Sequence, residues 1–127
     1  MKEIIKTDKA PAAIGPYSQA IKISGGSIVF LSGIIPLNPK TMEIVGKTAG
    51  EQCKQVMDNM GHVLKEAGGE YVNVVKTTIY LSDLADFGPV NEMYGTYFDV
   101  NPPARATIEV SRLPKDVKIE IEAIAII

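Results

Sequence analysis

The chain has 127 residues and a mass of 13.7 kDa, with 46% hydrophobic and 22% charged residues, as expected of one globular domain able to bury its own core. Thirteen Lys and Arg against 15 Asp and Glu leave a formal net charge of −2, which argues against a dedicated nucleic-acid-binding module. A single cysteine, Cys53, and a single histidine, His62, exclude an intramolecular disulfide framework, a multi-cysteine metal site and a zinc triad of histidines.

Residues 1–20 lack the apolar stretch of a secretory signal, and no segment reaches transmembrane length, so a cytoplasmic protein with no membrane partner is expected. No repeat, linker or low-complexity tract interrupts residues 1–127, which read as one domain. Glu3–Lys6 is a short strand, followed by a Pro- and Ala-rich loop through Pro16. Ser18–Ile23 and Ser27–Ile35 read as strands joined in a hairpin at Gly25-Gly26, the second apolar on both faces. Thr48 and Glu51 have capping-box spacing. The helix they open carries a stripe of Ala49, Cys53, Val56, Met57, Met60, Leu64 and Ala67, and Gly68-Gly69 stops it.

Val72–Ser82 is rich in β-formers. Asp86 can cap a second helix running to about Asp99, with Pro89 tolerated in its first turn and Val90, Met93, Tyr94, Tyr97 and Phe98 on its apolar face. Ala104–Val110 and Val117–Ile126 close the chain and are expected to pair as a hairpin. The resulting class is α+β: a six-stranded mixed sheet with two helices packed on one face.

Alternation in the closing pair is informative. Ala104, Ala106, Ile108 and Val110 share one parity, with Arg105, Thr107 and Glu109 on the other. Val117, Ile119, Ile121, Ala123 and Ala125 likewise alternate with Lys118, Glu120 and Glu122. The spacing sets Arg105, Thr107, Glu120 and Glu122 on one face, read either as solvated with a cross-strand ion pair or as a subunit boundary. The same face continues into Ile124 and Ile126. One layer of two helices covers only one face of a sheet, so the second face is expected to meet another subunit. Only Arg105 and Arg112 are arginines. A charged pair at such a boundary calls for a partner or ligand, which suggests a carboxylate-binding site between protomers.

Four segments, Ala10–Ala20, Leu31–Gly33, Asp86–Tyr94 and Pro102–Ala125, resemble the reactive-intermediate deaminase (RidA, or YjgF-type) family, over essentially the whole chain. The resemblance implies a homotrimer of chorismate-mutase-like subunits with a central barrel and clefts between subunits. It also implies hydrolysis of enamine/imine intermediates, such as 2-aminoacrylate and 2-iminopropionate, to 2-keto acids and ammonia, as in a 2-iminobutanoate/2-iminopropanoate deaminase that limits metabolite damage. No cofactor and no metal are implied. Carried onto this sequence, Arg105 would grip the substrate carboxylate and Glu120 would position water and handle protons. Gly33 would leave room for the ligand, a backbone group at Thr107 would contact it, and Tyr17, Ser32 and Asn91 would line the cleft. Thr107 stands where many members have Cys, and Ile34 where Gln is common. Two alternatives carry different expectations: a translation-inhibiting ribonuclease, which the charge balance disfavours, and a non-catalytic trimer that binds 2-keto acids or acts as a holdase. His62 is expected in solvent, Cys53 as a buried inert thiol, and Arg112 in a surface or interface ion pair.

Overall fold

The computed structural model describes residues 2–127. In chain order its elements are β1 (Lys2–Ile5), β2 (Ala20–Ile23), β3 (Ile28–Ile34), α1 (Ala49–Glu66), β4 (Val74–Leu81), α2 (Phe87–Gly95), β5 (Ala104–Glu109) and β6 (Ile119–Ile126). The fold is α+β, but its strands form two sheets: β1 and β2 pair alone, and the other four lie in the order β3-β6-β4-β5. The expected single six-stranded sheet is corrected accordingly.

Local chemistry accounts for α1. The Thr48 hydroxyl accepts from Glu51 N at 3.2 Å, and the Glu51 carboxylate accepts from Thr48 N at 3.0 Å, so two otherwise orphaned amides are satisfied reciprocally. At the far end Gly68 takes a φ of +87°. Its amide donates to Lys65 O and that of Gly69 to Leu64 O, the paired bonds of a Schellman cap. Cys53, Val56, Met57, Met60 and Leu64 are fully buried against the sheet; Ala67, placed on that stripe by spacing, is the exposed C-cap. The second helix ends at Gly95 rather than near Asp99. Asp86 makes no side-chain cap; Asp83 instead accepts from Ala85 N in the preceding 3-10 turn. Tyr97 and Phe98 still pack inward from the turn beyond the helix.

Neither expected hairpin forms. Gly25 and Gly26 do reverse the chain, with φ of +78° and +88°. However, β2 pairs antiparallel with β1 while β3 pairs with β6, whose eight residues offer a longer ladder than the four of β2. Similarly β5 and β6 never touch as a pair, because β4 lies between them, parallel to β5 and antiparallel to β6. The unit β4-α2-β5 is a parallel crossover, which requires β5 to sit beside β4.

This register changes the facing of β5. Arg105 and Thr107 are level with Thr77 and Ile79, which are buried beneath the helices. Glu120 and Glu122 are level with Tyr80 and Thr78, on the opposite face. The parity assigned to β6 holds, with Ile119, Ile121, Ala123 and Ala125 buried. That of β5 is inverted, leaving Ala106 and Ile108 on the open face. Ile28 (61% exposed), Phe30 (75%) and Ile108 (45%) lie uncovered there.

Candidate active site

Arg105 lies at the edge of the helix-covered face, and two segments converge on it. The segment Gly15–Ser18 is fastened to the start of β5: Ser18 N donates to Pro103 O at 3.1 Å, and the Ser18 hydroxyl bonds Pro102 O. This sets the Tyr17 ring centroid 5.5 Å from the guanidinium carbon. From α2, Phe87, Asn91 and Tyr94 follow i, i+4, i+7 spacing and share one helix face. Arg105 Nη1 donates to Asn91 Oδ1 at 2.5 Å, and the rings of Phe87 and Tyr94 lie 5.6 and 5.1 Å from its carbon. No carboxylate pairs with Arg105 among the described residues; the ion pairs are Lys54–Asp58 and Arg112–Asp116. Burial pulls the Arg105 pKa down from its ordinary value, Tyr94 and Tyr17 opposing the change, and the group stays protonated. A half-buried guanidinium held by rings and without an acidic partner keeps N–H donors that match the geometry of an anion such as a carboxylate.

Gly15 borders the same space. A Cβ there would stand 3.2 Å from Asn91 Nδ2 and 3.6 Å from an Arg105 nitrogen, so the bare backbone keeps the approach open. Thr107 follows Arg105 on the same face of β5. Its hydroxyl is the one buried side-chain polar atom without a hydrogen-bond partner among the described residues, an arrangement that ordinarily calls for a ligand, water or partner.

A second group occupies the open face. The irregularity in β3 between Leu31 and Ile34 exposes Ser32 and Gly33. A side chain at Gly33 would overlap the Glu120 carboxylate; glycine is what lets Glu120 lie against the β3 backbone. Opposite Glu120 in the ladder is Tyr80, whose hydroxyl donates to Glu122 rather than to Glu120. That bond, with burial, raises the Tyr80 pKa.

Of the residues singled out from sequence, the structure brings Tyr17, Asn91 and Arg105 together, with Thr107 beside them. It places Ser32, Gly33 and Glu120 elsewhere. Arg105 and Glu120 stand on different faces, two strands apart and three residues out of level, since Arg105 is level with Thr77 and Glu120 with Tyr80, which separates their backbones by about 14 Å. The expectation that they share a face is corrected: inverted β5 facing turns Arg105 toward the helices. Gly15, Phe87 and Tyr94 join the arginine cluster without having been assigned to it. The signal was the helical spacing of Phe87, Asn91 and Tyr94. His62 is exposed, and Cys53 is buried with its pKa pushed up to about 12 by desolvation, as an inert thiol requires. Arg112 donates twice to Asp116, at 2.7 and 3.1 Å, on the surface.

Residues 7–127 match the family model described as Endoribonuclease L-PSP. The chain is 48% identical to the 2-iminobutanoate/2-iminopropanoate deaminase of Rattus norvegicus, over 99% of this chain and 90% of that protein. It is 54% identical to the chloroplastic Reactive Intermediate Deaminase A of Arabidopsis thaliana, covering 98% of this chain but 65% of the length of that relative. Its fold is similar to the crystal structure of E. coli TdcF with bound serine, with a TM-score of 0.76, 42% identity and 98% of each chain covered. The chain belongs to the YjgF/RidA family. Imine deaminases are named among its RidA relatives, and the structure of TdcF holds bound serine. No helix among the described residues of this RidA-family chain is long and apolar enough to cross a membrane.

Proposed function

We propose that this protein hydrolyses small 2-imino acids, such as 2-iminopropanoate and 2-iminobutanoate, to 2-keto acids and ammonia. The observation that carries the reading is Arg105: a partly buried guanidinium with one side-chain hydrogen bond and no acidic partner. The rat relative's name adds support. Bound to Arg105 by paired N–H bonds, a carboxylate would neutralise the charge that the protein leaves open.

The attack on the imine carbon needs a positioned water and a proton acceptor. Glu120, seated over Gly33, has the chemistry but lies on the other face of its own chain. The exposed apolar patch of Ile28, Phe30 and Ile108 favours burial against further copies. In a homotrimer with clefts between subunits, Glu120 of one copy would face Arg105 of the next. Water would add to the carbon as the carboxylate takes one of its protons and passes it to nitrogen; the C–N bond would then break as the carbinolamine hydroxyl gives its proton to the same carboxylate, leaving the 2-keto acid and ammonia. A negative Glu120 also favours the protonated, more electrophilic iminium.

The test is the rate of 2-keto acid formation from enzymatically generated 2-iminopropanoate. The wild-type protein should accelerate it and Arg105→Ala should abolish the acceleration with the assembly intact. An unchanged rate in the variant overturns the assigned site. The family description also carries a nucleolytic reading. RNA cleavage that follows the protein through purification and vanishes in Arg105→Ala would favour that reading; the net charge of −2 does not.

A further inference from the structure

The three rings around Arg105 are not equivalent. Tyr17 comes from a loop, and Phe87 is 37% exposed. Tyr94 is fully buried and lies closest, 5.1 Å from the guanidinium carbon. It is also tethered: its hydroxyl bonds Thr77 Oγ1 at 2.8 Å. Thr77 is itself fully buried and stands level with Arg105 in the parallel β4–β5 ladder. The strand neighbour of the arginine therefore fixes the ring that underlies it.

Packing alone does not call for this arrangement. Phenylalanine at 94 and valine at 77 would fill the same space, and Tyr94 already packs on Phe98 with ring centroids 4.8 Å apart. The hydroxyl pair adds a fixed depth and rotation of the Tyr94 ring, and with them a fixed place for the cation above it. A ring holds a guanidinium without adding a formal charge, so its remaining N–H donors keep their full attraction for an anion. A carboxylate in the same position would hold Arg105 as firmly but would compete with the ligand.

We infer that Tyr94, tethered by Thr77, is a positioning residue that sets Arg105 for a carboxylate-bearing ligand. The ligand class rests on the imine-deaminase reading; the positioning chain rests on the distances above. Removing the ring should weaken carboxylate capture far more than turnover, because Arg105 holds the carboxylate alike before and during reaction.

The experiment measures KM and kcat for imine hydrolysis, affinity for 2-oxobutanoate by calorimetry, and thermal stability, on the assembled protein. Tyr94→Leu should raise KM and weaken 2-oxobutanoate binding about tenfold, with kcat within about twofold. The double variant Thr77→Val/Tyr94→Phe leaves no buried hydroxyl unpaired. It should melt with the wild type yet keep a KM raised about threefold, a separation that a purely structural role does not produce. Wild-type KM in folded Tyr94→Leu overturns the inference. If Tyr94→Leu does not fold, the double variant decides alone, and wild-type KM there overturns it. Wild-type protein that neither hydrolyses the imine nor binds 2-oxobutanoate instead rejects the parent reading, and this inference with it.

Discussion

The two faces of the four-stranded sheet are finished to different degrees. On the helix side, α1 and α2 cover β6 and β4, the apolar side chains are buried, and Arg105 has its rings and its amide partner in place. On the other side, Phe30, Ile28 and Ile108 stand in solvent, and Glu120 rests on Gly33. Under the proposed function, the covered face would hold the receptor and the bare face the base. A carboxylate that binds is thus separated, within one chain, from a carboxylate that could activate water. Assembly is the simplest way to reunite them.

The comparison breaks most sharply if the bare face is given a charge. Phe30→Glu should leave the secondary structure intact by circular dichroism, since Phe30 lies outside the core. Burying an unpaired carboxylate at an interface is penalised by several kcal/mol. The variant should therefore sediment as single chains and lose at least about a hundredfold in imine hydrolysis; unchanged mass and activity would show that this face is not an interface.

A smaller perturbation acts on the base alone. Gly33→Ala displaces the Glu120 carboxylate and should lower kcat by about 10²-fold, within the range of general acid–base contributions. KM should change little because Arg105 is untouched. Wild-type kcat in this variant would separate Glu120 from the chemistry.

Alkaline titration probes the covered face instead. Burial holds the Cys53 thiol and the Tyr94 phenol up at about 12, from ordinary values of 9.0 and 10.0. Above those ordinary values the unfolded chain has released protons that the native chain still binds, so stability falls as pH rises. The contribution is complete below pH 9 and disappears as pH climbs through about 12. Thermal unfolding followed from pH 7 to 11 should be flat at first and then decline, with tyrosinate absorbance appearing together with unfolding. Tyrosinate absorbance well below the unfolding transition, in proportion to all buried tyrosines, would contradict the dry face.

The smallest effect concerns Thr107, next to Arg105 on the covered face of β5. Its unpartnered hydroxyl makes Thr107→Val stabilising by about 1 kcal/mol, or roughly 4 °C in Tm for a domain of this size. A fall in Tm would place a hydrogen-bond partner for Thr107 on a neighbouring copy.

How far these features could be read from sequence depends on the kind of signal each one left. The capping box at Thr48, the glycine stop at Gly68 and the buried stripe of α1 are local, and chain chemistry within a few residues determines them. In β6 the glutamates mark one face, so its parity was legible. In β5 the small Ala104 and Ala106 fit either a core or an interface, and spacing alone leaves Arg105 either solvated or at a subunit boundary, whereas its charge is held among rings from two other segments. Strand partners are longer-range still. Nothing within residues 104–126 announces that β4 will slide between β5 and β6; that follows from the parallel crossover through α2. Consequently Tyr17, Asn91 and Arg105 could be named from sequence, while the face they occupy, and the parts played by Gly15, Phe87 and Tyr94, could not.

The position of β6 has a consequence for how the molecule is made. During synthesis β3, α1, β4, α2 and β5 all emerge before the strand that lies at the centre of their sheet. Until residues 119–126 arrive, β3 has no ladder partner, and α1 has lost much of the surface it will cover. Closing contacts of such long sequence separation come late and slowly. The nascent chain therefore carries an open slot between β3 and β4, and the edges of that slot are exposed to other strands until its own last segment fills it.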